Sequence, residues 1–146
     1  TRHDQRVDPP CCQGTIMNCP VQEDFEQELV IRWSIGQIDT WPELALLHHI
    51  PNGGKRGKAE AAKLKRMGVK PGVPDLCLPV ARGGFHGLYI EMKRADGGRV
   101  SSEQRVWLAA LHAAGHCVAV CEGHEQAIAV LRDYLAADGQ QMGEAA

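Results

Sequence analysis

Residues 72–93, GVPDLCLPVARGGFHGLYIEMK, most narrow what this chain can fold into. Two short apolar runs, Leu76–Val80 and Leu88–Lys93, flank the turn-rich ARGGFHG, and that pattern predicts a β-hairpin. Alternation along the second run puts Glu91 and Lys93 on one face, with Met92 pointing the other way. Pro74-Asp75 opens the first run, so an aspartate faces a carboxylate and a lysine on the neighbouring strand. A glutamate inside LYIEMK is costly to bury unless it is paired or bound to a cation. Such a set can hold a divalent cation beside a positive charge, the combination that phosphodiester hydrolysis needs. A structural Glu91–Lys93 contact and a turn role for Asp75 each explain one half of the pattern; the joint pattern is harder to reach by chance.

The rest of the chain supplies flanking helices. From Val21 to about Ile35 the spacing of Phe25, Leu29, Ile31, Trp33 and Ile35 fits an amphipathic helix imperfectly, and its acidic start suits the positive end of the dipole. Trp41-Pro42 opens a short second helix through Leu47, with proline in the first turn. HHIPNGGKRG is loop-like, and Lys58–Met67 is a basic helix closed by Gly68. Ser101-x-x-Gln104 is a capping box that begins a helix from Ser102 to about Ala114. HCVAVC predicts a buried central strand, and residues 124–137 a last helix. Helices before, between and after the strands place the chain in the α/β class, a mixed central sheet flanked by helices.

At 146 residues the chain suits one domain, expected over 21–137 between a disordered extension (1–20) and a flexible tail (138–146). No apolar run approaches the roughly 18 residues of a membrane span. The opening residues lack a signal-peptide h-region, which reads as a cytoplasmic protein. Cys11, Cys12 and Cys19 show no CxxC spacing, and Cys77, Cys117 and Cys121 sit in apolar runs as small core residues. The histidines are scattered, with His48-His49 near Asn52 the only hint of a histidine site, and Trp33, Trp41 and Trp107 read as packing residues. Net charge is −2, yet Lys55, Arg56, Lys58, Lys63, Lys65, Arg66 and Lys70 crowd into sixteen residues whose only acid is Glu60. A solvated helix face explains that run, and so does an anionic partner that relieves the repulsion.

Pro74-Asp75 with Glu91-Met92-Lys93 resembles the PD-(D/E)xK nuclease superfamily. The chain is most similar to its virus-type replication-repair nuclease branch, VRR-NUC, in compact phage-like form. IPNGGKR at 50–56, GVKPGVPDL at 68–76, GLYIEMK at 87–93 and GRVSSEQ at 98–104 carry the likeness, which extends from about Glu23 to Tyr134. The resemblance implies a restriction-endonuclease-like fold and roles for individual residues. Asp75 and Glu91 would bind Mg²⁺ or Mn²⁺ with the main-chain carbonyl of Met92, and Lys93 would position water and stabilise the transition state. Gln104 matches the family's glutamine, although its capping role is an equally good explanation and one side chain is not expected to serve both fully. A glutamate of the first helix would complete the cluster; Glu23 fits best, with Glu26 its rival and Glu28 a weaker fit. Asn52, Lys55, Arg56, Lys63 and Arg66 would contact the DNA backbone. Branched DNA, above all a four-way junction cut by a homodimer, is the implied substrate.

Overall fold

A mixed four-stranded sheet in the order β1-β2-β3-β4 forms the middle of the fold in the computed structural model, which describes residues 22–52, 54 and 56–138. β1 (His48–His49) pairs antiparallel with β2 (Leu76–Leu78), β2 antiparallel with β3 (Leu88–Lys93), and β3 parallel with β4 (Cys117–Glu122). The helices are α1 (Gln22–Gly36), α2 (Lys58–Arg66), α3 (Ser102–Ala113) and α4 (Gly123–Ala136). A parallel pair needs a crossover, and α3 supplies it between β3 and β4. The α/β class, the mixed sheet and the flanking helices agree with the sequence.

Strand alternation divides the sheet into an apolar face and a chemical one. Leu76, Leu78, Leu88, Ile90 and Met92 are fully buried and join Val30 of α1 with Ala127, Leu131 and Leu135 of α4 in one core. Each buried Leu, Ile, Val or Met of that core contributes about 1.5–3 kcal/mol of burial. Glu91 and Lys93 point the other way. Leu76 pairs with Ile90, so Asp75, one residue earlier, lies level with Glu91 across the hairpin.

Several elements depart from expectation. HCVAVC is an edge strand, not a central one; β2 and β3 are the central strands, buried throughout and almost throughout. The apolar run of β4 reads the same in sequence as a central strand, yet only Cys121 is buried and Val120 is 42% exposed. β2 stops at Leu78 rather than Val80, because Pro79 has no N–H for the ladder. His48–His49, expected in a loop, pairs with β2, while Pro42–Leu46 is a 3₁₀ turn rather than an α-helix. In α1 the buried face runs through Glu26, Val30 and Ser34, whereas Phe25 and Ile35 are exposed. Two polar residues on the buried face are why the apolar spacing looked irregular. The expected extension (1–20) and most of the expected tail lie outside the described residues.

Cys77 and Cys121 are buried free thiols and Cys117 is half-buried, as the core reading requires. Trp33 packs on Trp41 at 6.2 Å between ring centres, with Arg132 over its ring. No helix among the described residues is long and apolar enough to cross a membrane.

Candidate metal centre

The hairpin and the first turn of α1 bring Asp75, Glu91 and Glu23 together, with one carboxylate oxygen from each lying within 4.8 Å of the others. Two of the three positions follow from the hairpin register, and the third comes from a helix start. Asp75 Oδ2 accepts the Met92 amide N–H at 2.7 Å, which fixes its carboxylate across the strand pair. The Asp75 carbonyl accepts from the Ile50 amide at 2.8 Å and from His49 Nδ1 at 2.8 Å, so β1 holds the same residue from its other side.

Glu91 is 1 % exposed and Lys93 is 4 % exposed. Burial of both charges is tolerable only with close pairing, and Lys93 Nζ donates to Glu91 Oε1 at 2.7 Å. Glu23 Oε1 stands 3.9 Å from the same ammonium. The loop after β3 wraps the lysine stem tightly: a Cβ at Gly98 would lie 2.8 Å from Lys93 Cδ.

Gln104 serves two roles at once, contrary to the sequence expectation. Its amide oxygen accepts from the Ser101 N–H at 2.8 Å, completing the capping box, and its Nε2 donates to Glu91 Oε1 at 2.5 Å. A carboxamide has a donor and an acceptor end, so capping does not use up the side chain. Ser101→Ala should cost about 1 kcal/mol of stability through the lost cap and leave cleavage near wild type. Gln104→Ala should cost a similar amount and lower cleavage about tenfold, because Glu91 loses a fixed partner. Melting curves with single-turnover assays separate the two; equal cleavage by both variants would leave Gln104 a cap alone.

The site fits a divalent cation. Glu91 Oε2 is buried and has no hydrogen-bond partner, an orphaned acceptor on a carboxylate that Asp75 and Glu23 crowd with like charge. Burial pushes the Glu91 carboxyl up to about 7, against the Lys93 hydrogen bond and with Asp75 and Glu23 adding repulsion. Burial likewise raises Asp75 and Glu23 above the usual carboxylate range. Carboxylates crowded enough to favour protonation are relieved equally by a cation, and an all-oxygen set suits Mg²⁺ or Mn²⁺ better than zinc. Among the described residues no other group of histidines, cysteines or acids converges in this way.

Residues 27–125 match the VRR-NUC domain family. The chain belongs to that family. A solved structure, a VRR_NUC domain protein, is 34% identical over 83% of this chain and 93% of its own, with a TM-score of 0.70. None of the curated proteins matches the chain. VRR-NUC membership makes the protein a nuclease of the PD-(D/E)xK type, and the matched span holds Asp75, Glu91, Lys93 and Gln104 but begins after Glu23.

Elsewhere on this VRR-NUC domain the sequence-predicted residues scatter more. Glu26, the rival of Glu23, is buried away from the cluster and bound to His124. Asn52 donates from Nδ2 to the Val73 carbonyl at 2.6 Å, so it ties the loop after β1 to the approach to β2. A groove of about 590 Å³ beneath α2 is lined by Asn52, Arg56, Lys65 and Lys70, not by Lys63 or Arg66. Ala61, Leu64, Lys65 and Gly68 share that face at helical spacing, a phase that could have singled out Lys65 in the sequence. Lys55 lies outside the described residues. A second groove of about 490 Å³, lined by Glu23, Gln27, His49 and Asp75, shares Asn52 and Gly54 with the first. His49, noted in the sequence only as part of a hint of a histidine site, lines this carboxylate groove.

Proposed function

We propose that the protein is a Mg²⁺- or Mn²⁺-dependent endonuclease that hydrolyses DNA phosphodiester bonds and selects DNA by shape rather than by sequence. The partnerless Glu91 Oε2, on a carboxylate grouped with those of Asp75 and Glu23 and paired with a buried lysine, carries this reading. Glu23, Asp75 and Glu91, with the Met92 carbonyl implied by the family, would hold the cation. A bound divalent cation supplies charge neutralisation at the phosphate and water of lowered pKa. Lys93, held between Glu91 and Glu23, would supply an ammonium to the negative charge that builds up in the transition state. Gln104 restrains Glu91, and the Met92 amide restrains Asp75.

The adjoining basic groove supports DNA as the substrate. Arg56, Lys65 and Lys70 line it without an acid among its lining residues, and it meets the carboxylate groove at Asn52 and Gly54. Phosphate contacts of this kind give affinity and register without base readout. Branched DNA, with a four-way junction cut by a homodimer as its sharpest form, follows from the family resemblance and from the match of two related sites to a two-fold substrate. The experiment offers labelled four-way junction, flap, duplex and single strand with Mg²⁺ or Mn²⁺ to wild type and Glu91→Ala. Symmetric nicking of the junction by wild type alone is the expected result. Preference for flap or single strand replaces the substrate; junction binding in EDTA with no cutting after Mg²⁺ addition replaces the enzyme by a binding module.

A further inference from the structure

We propose that Glu26 and His124 form a positioning clamp for Glu23, holding the first turn of α1 at the carboxylate site; this rests on the metal reading above. Glu26 is 7% exposed, and its Oε2 accepts both the His124 amide N–H at 2.7 Å and His124 Nδ1–H at 2.5 Å. His124 is the second residue of α4, whose own N-cap, Glu122, makes no side-chain capping bond. The first N–H groups of a helix need an acceptor and favour a negative charge. Glu26 provides both from 98 residues away. Burial alone would raise the Glu26 carboxyl, but the His124 hydrogen bonds override it and hold it below the usual range.

The clamp's location joins it to the site. Glu122 pairs with Lys93 in the β3–β4 ladder, so the clamp fastens α1 just past the strand end that carries the lysine. Gly123 makes the approach fit: it has φ of +81°, and a Cβ there would lie 3.1 Å from Ala95 Cβ and 3.5 Å from Glu26 Oε2. Glu23 stands three residues before Glu26, on the same side of the helix. By itself Glu23 is weakly held. Its side chain is 41% exposed, its ion pair with Lys93 is 3.9 Å long, and Asp75 repels it. Neither Glu26 nor His124 belongs to the carboxylate cluster, so the clamp acts through the helix.

Mn²⁺ binding measured by calorimetry on the full chain, with melting curves, tests the clamp in Glu26→Ala, Glu23→Gln and the double variant. Glu26→Ala should weaken Mn²⁺ binding about tenfold, and Glu26→Gln, whose oxygen still accepts from the His124 amide, should recover part of the loss. Because the clamp acts through Glu23, the double variant should bind no more weakly than Glu23→Gln alone. A purely structural pair would lower the melting temperature and leave Mn²⁺ affinity unchanged, and that result, or losses that multiply in the double variant, overturns the clamp. Should Glu26→Ala not fold, Glu26→Gln and His124→Ala carry the same cycle. Wild type that binds no Mn²⁺ overturns the metal reading, and the clamp with it.

Discussion

Glu91→Ala is expected to lower metal-dependent cleavage by about 10³-fold or more, since on the proposed reading it removes a cation ligand and the partner of Lys93 together. Glu91 Oε1 takes hydrogen bonds from Lys93 and Gln104, and Oε2 is the orphaned acceptor. Truncation also leaves Lys93 buried with Glu23, at 3.9 Å, as its one remaining ion pair among the described residues. Breaking a buried pair by deleting one member costs about 3–5 kcal/mol, so the alanine variant should melt well below wild type. Glu91→Gln separates chemistry from folding. Its amide oxygen still accepts from Lys93 and fills the same volume, so most stability should return while Mn²⁺ affinity and cleavage do not. Single-turnover cleavage by either variant within tenfold of wild type would remove Glu91 from the centre.

The hairpin was the most legible part of this fold because local rules specify it redundantly. Period-two alternation, a Gly-rich turn and Pro74 before Asp75 all agree, and the register then places Asp75 level with Glu91. The capping box at Ser101 was legible for the same reason. What failed depends on packing between distant elements. β4 sits at the sheet edge with Val120 exposed, yet CVAVC reads in sequence as a continuous apolar strand. α1 buries Glu26, a choice explained only by His124, and no window around Glu26 contains that partner.

The candidate centre divides along the same line. Asp75, Glu91 and Lys93 lie within a single supersecondary unit, so spacing alone brought them together. Glu23 could be ranked above Glu26 only through the family resemblance, since helix phase shifts by a few residues in sequence reasoning. The structure brings Glu23 to the cluster and shows where Glu26 goes. In the basic run, charge marked the region, but lining the groove depends on the rotation of α2, which favours Lys65 over Lys63 and Arg66.

Metal-free protein should lose stability as pH rises from about 4.5 to about 7, and metal should reverse the loss. Glu91 has a folded-state pKa of about 7, above its ordinary value of 4.5. Within that window the folded state binds more protons than the unfolded chain, and stability then falls with rising pH. The stabilisation is complete below the unfolded value and gone above the folded one. Asp75 and Glu23, also raised, act in the same direction, whereas Glu26 is lowered and changes its contribution only at more acid pH. A decrease of about 5 °C in melting temperature in EDTA is the expected size. At pH 8 Mn²⁺ at about 100 times its Kd should add about 2.7 kcal/mol, and much less at pH 5, where protons hold the same oxygens. Glu91→Gln should flatten most of the slope, since it has no proton to exchange. A wild-type melting temperature in EDTA that rises or stays level between pH 5 and 8 would show that the carboxylates are not crowded enough to need a cation.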